Sequence, residues 1–184
     1  HVLAQLKAPF IMIDHHQKPD DYATFTYSDT SFGSTCEMIY NFILFLGKKH
    51  DIDTTIGTCI YTGILTDSGS FRFPKTTGTT HRIIAELIDL GVENTEIPTL
   101  LFDNSSFGRL QILGRALQNM KVITEHKTAY ITLTQDELNS FGYVKGDTEG
   151  IVNYGLSIKG IVFAAIFIEN KEEKIIKISF RSQG

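Results

Sequence analysis

Asp14, His15 and His16 stand in an unbroken row directly after the apolar run Phe10-Ile11-Met12-Ile13. Imidazole is the commonest metal ligand, and a neighbouring carboxylate is the usual group that fixes its tautomer, so this triplet has the chemistry to hold a divalent cation or move a proton at neutral pH. Read alone, it serves equally well as a polar loop in which Asp14 caps a turn. A second acid strengthens the functional reading. Asp67, in Gly63-Ile64-Leu65-Thr66-Asp67-Ser68-Gly69-Ser70-Phe71, also ends an apolar run, among hydroxyls that can orient a carboxylate and beside a glycine that permits a sharp turn.

Other residues are candidates for gripping an anion. Ser34 and Thr35 open a helix pattern after Gly33, where free backbone N–H groups and hydroxyls favour a phosphate, although N-capping explains them as well. Arg72 sits between Phe71 and Phe73 and, on a strand, points away from both, toward a substrate phosphate or toward water. Arg181 and Ser182 end the last strand pattern. An arginine there suits bidentate phosphate binding and suits an exposed sheet edge equally.

These side chains need elements to place them. Pro9 followed by four apolar residues predicts a short buried strand that delivers the triplet to its carboxyl edge, the usual ligand edge of an open α/β sheet. Residues 1 to 7 read as the end of a helix, and residues 22 to 27 alternate like a half-buried strand. A 3.6-residue period from Met38 to Leu46, stopped by Gly47, predicts a helix. The run from Ile56 to Leu65, dotted with small residues, predicts a helix packed on all sides, and Asp51-Ile52-Asp53 before it reads as a cap and not as a metal motif. A further helix is expected over residues 76 to 91, a short loop and helical turn over 92 to 102, and an amphipathic helix from Phe107 to Met120. Beyond Lys121 the pattern changes to strands at 122–124, 129–133, 160–168 and 174–180, with short helices at 135–141 and 148–156, an α+β module.

The totals exclude several classes. At 184 residues, 42% hydrophobic and 21% charged, the chain is an ordinary globular one, long enough for one large core or two small ones. A net charge of −4 argues against a broad basic face that coats nucleic acid. Cys36 and Cys59 lack metal or redox spacing and read as buried free thiols of a cytoplasmic protein. No apolar run approaches the roughly 20 residues that span a bilayer, and no membrane association is expected. The chain opens at His1 in a helical pattern and stops just after a strand, so it reads as part of a longer protein.

Taken together, Ile13-Asp14-His15-His16, Gly33-Ser34-Thr35 with Glu37, the Gly63–Phe71 segment and Ile178-Ser179-Phe180-Arg181-Ser182 resemble the DHH phosphoesterase family. The order and spacing most resemble its subgroup of bifunctional oligoribonucleases and 3′-phosphoadenosine 5′-phosphate (PAP) phosphatases. The resemblance implies an α/β architecture: a parallel-sheet DHH domain over 1–103, incomplete at its N-terminus, a connector helix over 104–121 and a smaller, truncated α+β DHH-associated substrate-binding domain over 122–184. It implies Mn²⁺, two ions in the intact protein, with His15 and Asp67 as metal ligands, Asp14 steadying the histidines, His16 facing the scissile phosphate and Arg181 gripping substrate.

Implied substrates are short RNA oligonucleotides (nanoRNA), PAP and linear dinucleotides from cyclic di-AMP, with a homodimer left open. A manganese pyrophosphatase, a RecJ-like exonuclease and a non-catalytic nucleotide-binding module are the rival readings. The family's His/Asp-x-Asp motif and lone Asp precede the triplet and do not occur in these residues, nor does its later Gly-Gly-Gly-His segment.

Overall fold

The computed structural model describes residues 7–183 and divides into two compact units, His1–Leu101 and Phe102–Gly184. The helix expected over residues 1 to 7 lies outside the described residues, apart from exposed Lys7. In the first unit, β1 (Ile11–Asp14) and β2 (Phe25–Ser28) pair in parallel, with Ile11 opposite Phe25 and Asp14 opposite Ser28. The strand expected over 22 to 27 is thus shorter and shifted, because Gln17 to Thr24 form the crossover that a parallel pair requires.

Helix α1 (Thr35–Phe45) starts where Ser34 Oγ accepts a hydrogen bond from the Glu37 N–H at 3.1 Å, and gives way to Gly47 at φ +68°. Helix α2 (Thr54–Asp67) starts where Asp53 Oδ1 accepts from the Ile56 N–H at 2.8 Å, so the Asp-x-Asp pair supplies a cap. Helix α3 (Gly78–Asp89) opens with a reciprocal Thr77/Thr80 capping box, and α4 (Glu96–Phe102) follows.

The first core is built from the inward faces of α1, α2 and α3. Tyr40, Ile60, Tyr61, Ile64, Leu65, Ile83 and Leu87 are all buried, and each fully buried aliphatic chain contributes about 1.5–3 kcal/mol. Where α1 crosses α2, a Cβ added to Gly63 would fall 2.1 Å from Cys36 Sγ, so only glycine allows this approach. Helix α2 is not packed on all sides: Ile56 and Cys59 are exposed. The expectation of two buried thiols is corrected accordingly, since Cys36 faces the crossing and is half-buried while Cys59 lies on the solvent side.

In the second unit, β3 (Lys121–Ile123), β4 (Thr128–Leu133), β5 (Phe163–Asn170) and β6 (Ile175–Ser182) form a sheet in that order. The β4/β5 pair is parallel and the outer pairs antiparallel. Ala129, Ile131, Leu133, Ala164 and Ile166 alternate onto one face, where Ile112 and Ala116 of α5 (Phe107–Asn119) and Leu138 of α6 (Gln135–Ser140) cover them. Helix α5, expected as a connector, thus packs into this unit. Helix α7 covers only Asn153–Leu156 of the expected 148–156, and turns precede it. Among the described residues no helix is long and apolar enough to cross a membrane.

Candidate functional site

Strand β1 ends at Asp14, so His15 and His16 emerge at its carboxyl edge; the strand expected to be buried is only half-buried, with Ile11 exposed. Asp14 Oδ1 accepts from the His16 backbone N–H at 3.1 Å and lies 2.7 Å from His16 Nδ1. The His16 contacts hold the Asp14 carboxyl below its ordinary value, the side-chain hydrogen bond contributing most. With Nδ1–H committed to Asp14, His16 presents Nε2 to solvent on a largely exposed ring. His15 stacks obliquely on His16, ring centres 4.4 Å apart, but points inward.

His15 Nε2 faces Asp67 Oδ2 at 3.6 Å, beyond hydrogen-bond range. His15 Nδ1 is buried and has no hydrogen-bond partner among the described residues. A largely covered imidazole with neither nitrogen hydrogen-bonded, its Nδ1 buried, leaves room for a further partner. No cluster of three or more metal-ligating side chains occurs among the described residues; His15 and Asp67 are two groups of the types that ligate metal, facing one another.

Asp67 is placed by the end of α2 and by the turn behind it. Gly69, Ser70 and Phe71 take successive left-handed conformations at φ +57°, +58° and +63°. For the two non-glycine residues this costs about 1–2 kcal/mol each. Ser68, buried, offsets that cost: its Oγ accepts from the Phe71 N–H at 2.9 Å, and its carbonyl accepts from the N–H groups of Arg72 and Phe73. The Phe71 ring packs edge-on to Tyr61 and lies 5.5 Å from the His81 ring. Residues 71 to 73 are therefore a turn and not a strand, and Arg72 folds back so that its Nε donates to the Gly69 carbonyl at 2.7 Å.

A cavity of about 370 Å³ is lined by His15, Gly33, Asp67, Ser68 and the segment Phe73–Thr76. Of the sequence candidates it brings together His15 and Asp67; Asp14 and His16 do not line it, although the His16 ring lies against that of His15. Ser34 is buried and spent on capping α1, and Thr35 opens that helix; neither lines the cavity, nor does Arg72. Arg181 and Ser182 lie on exposed β6 in the second unit, with Arg181 Nη1 donating to the Phe180 carbonyl. Sequence reading missed Lys75 and Thr76, because Pro74-Lys75-Thr76-Thr77 looks like any polar lead into a helix.

Behind the site, buried Glu37 accepts from Thr80 Oγ1 at 3.2 Å, tying α1 to the start of α3. Burial pushes its carboxyl above the ordinary 4.5. Since the folded value exceeds the unfolded one, the fold is favoured while Glu37 is protonated and loses stability as pH rises through 4.5 toward the raised folded value. Glu37→Gln, which keeps the Thr80 contact, is expected to flatten that decline in urea midpoints measured between pH 4 and 7.

The fold and the site define the class: a mixed α/β protein whose parallel strand edge sets an Asp-His-His triplet beside the acid that ends a helix. Residues 2–64 match the family model described as DHH family, N-terminal domain, and the chain carries a DHH family domain. It is 32% identical over 96% of its length to the bifunctional oligoribonuclease and PAP phosphatase NrnA of Bacillus subtilis, and 31% over 95% to that of Thermus thermophilus. It spans about half the length of these relatives, 56% and 51%. An exopolyphosphatase-related protein of Bacteroides fragilis is 38% identical and superposes with a TM-score of 0.94 over 100% of this chain and 53% of that one.

Proposed function

We propose that the chain supplies the His15/Asp67 metal-binding and phosphate-handling part of a manganese-dependent phosphoesterase that releases phosphate from PAP and cleaves short oligoribonucleotides. The observation that carries this reading is His15 Nε2 and Asp67 Oδ2 facing each other across 3.6 Å at a cavity wall, with the imidazole otherwise unsatisfied. The names of the Bacillus and Thermus relatives support the substrate class. Linear dinucleotides from cyclic di-AMP carry the same terminal nucleotide phosphate and belong with them.

His15 and Asp67 hold the cation, and their mixed nitrogen and carboxylate donors suit Mn²⁺ better than Ca²⁺. When bound, manganese supplies Lewis-acid charge that activates water and neutralises the phosphoryl oxygens. Asp14, accepting from His16 Nδ1–H, steadies the ring so that Nε2 faces the phosphate under attack. Water oxygen bonds to phosphorus as the bond from phosphorus to the ester oxygen breaks; the phosphate keeps one of the water's protons and the other passes to the leaving ester oxygen. Arg181 and Ser182, exposed on β6, are proposed to bind a substrate phosphate through the guanidinium and the hydroxyl.

The test is turnover by the full-length protein. Chelation is expected to abolish phosphate release from PAP, and Mn²⁺ to restore it, with pyrophosphate hydrolysed far more slowly. Faster release from pyrophosphate replaces this reading with a pyrophosphatase. Binding of PAP without turnover in Mn²⁺ leaves a non-catalytic module.

A further inference from the structure

We propose that the segment Phe73–Thr76 is a phosphate-recognising wall of the cavity: the Lys75 ammonium and the Thr76 hydroxyl bind a second phosphate, adjoining the one released at His15 and Asp67. For the identity of the substrate this rests on the reading above; for the binding itself it does not.

Three observations carry it. Lys75 is the one permanently cationic side chain among the described residues that line the cavity. Its Nζ donates to the Thr30 carbonyl, and a Cβ on Gly33 would lie only 3.3 Å from its backbone oxygen, so the segment is braced against the loop leading into α1. An ammonium has three donors, and this contact uses one. Asp29 lies within electrostatic reach of Lys75 and its Oδ1 accepts from the Ser31 N–H at 2.8 Å, but no ion pair joins it to the ammonium among the described residues.

Thr76 supplies the second observation. Its Oγ1 is buried, lies in a residue of the cavity wall, and has no hydrogen-bond partner among the described residues. Buried hydroxyls are nearly always paired, so an unpaired one beside a lysine fits a ligand oxygen. Its neighbour Thr77, by contrast, is fully used as the cap of α3.

The third is the strained turn itself. Three successive left-handed residues bring the chain straight back from Asp67, closely enough that a Cβ on Gly69 would meet the Phe73 ring at 2.6 Å. Strain of this kind persists where the placement it achieves is used. What it places is Lys75 and Thr76 beside the same cavity as Asp67.

The experiment compares two substrates of the full-length protein, 3′-phosphoadenosine 5′-phosphate and adenosine 3′-phosphate, which lacks the second phosphate. Lys75→Gln is expected to raise KM for the bisphosphate about tenfold with kcat within about twofold, to leave KM for the monophosphate unchanged, and to be rescued by Lys75→Arg. Thr76→Val is expected to raise the same KM several-fold without lowering the melting temperature, since its hydroxyl makes no bond within the fold. Equal effects on both substrates, no effect, or a drop in stability with Thr76→Val overturns the assignment. If the wild type hydrolyses neither substrate, the hydrolase reading fails and titration calorimetry with inorganic phosphate decides this one: binding at least about tenfold weaker in Lys75→Gln upholds it, and equal binding or none by the wild type overturns it.

Discussion

Asp67→Asn in the full-length protein is expected to lower manganese-dependent release of phosphate from PAP about a thousandfold, equivalent to roughly 4 kcal/mol of transition-state stabilisation. The variant keeps the size and shape of the side chain and removes its charge. Asp67 is nearly half exposed and accepts no hydrogen bond among the described residues, so nothing in the fold depends on the carboxylate. The melting temperature should therefore stay within a degree or two while Mn²⁺ binding, followed by calorimetry, weakens sharply. His15→Ala is expected to behave alike. Normal turnover in either variant removes both from the metal shell.

Gly69→Val is the second large effect, and it acts through backbone and not through charge. Position 69 has φ +57°, which a β-branched residue reaches only under strain, and its Cβ would lie 2.6–2.9 Å from three atoms of the Phe73 ring. Together these are expected to cost about 3 kcal/mol, read from urea unfolding. Activity should fall further than the loss of folded protein explains, because the turn that carries Phe73 to Thr76 back to the cavity cannot form. Gly69→Asn, which tolerates the left-handed region better, should be milder in stability but still crowd Phe73. A Gly69→Val protein with unchanged midpoint and KM would show that the left-handed turn is not needed.

Ser68 explains why that turn survives in the native protein. Its hydroxyl and its carbonyl take three N–H groups from the residues that follow, so the donors of Phe71, Arg72 and Phe73 are satisfied at the point of greatest strain. No helix or strand pattern foretells such a device. Gly69 predicts a sharp turn, but an apolar pair flanking an arginine fits a strand as well, and neither pattern reveals the left-handed run or its Ser68 bracket.

Local features of the sequence were sufficient for most elements. Four apolar residues before Asp14 determined β1 and the edge at which the triplet emerges, because a strand's length and its polar stop are encoded within a few positions. Ser34, Asp53, Thr77 and Thr134 determined where four helices begin, because a capping hydroxyl or carboxylate acts on N–H groups two or three residues away. The Asp-His-His triplet and Asp67 declared their chemistry by type alone. What only the tertiary structure decided was which of these groups meet: the 3.6 Å approach of His15 to Asp67, the removal of Arg72 and Ser34 from the cavity, and the entry of Lys75 and Thr76 into it. The physical reason is that capping and periodicity are short-range interactions, whereas a site is set by helix crossings such as Cys36 over Gly63 and by one strained turn, whose geometry depends on packing between residues distant in the chain.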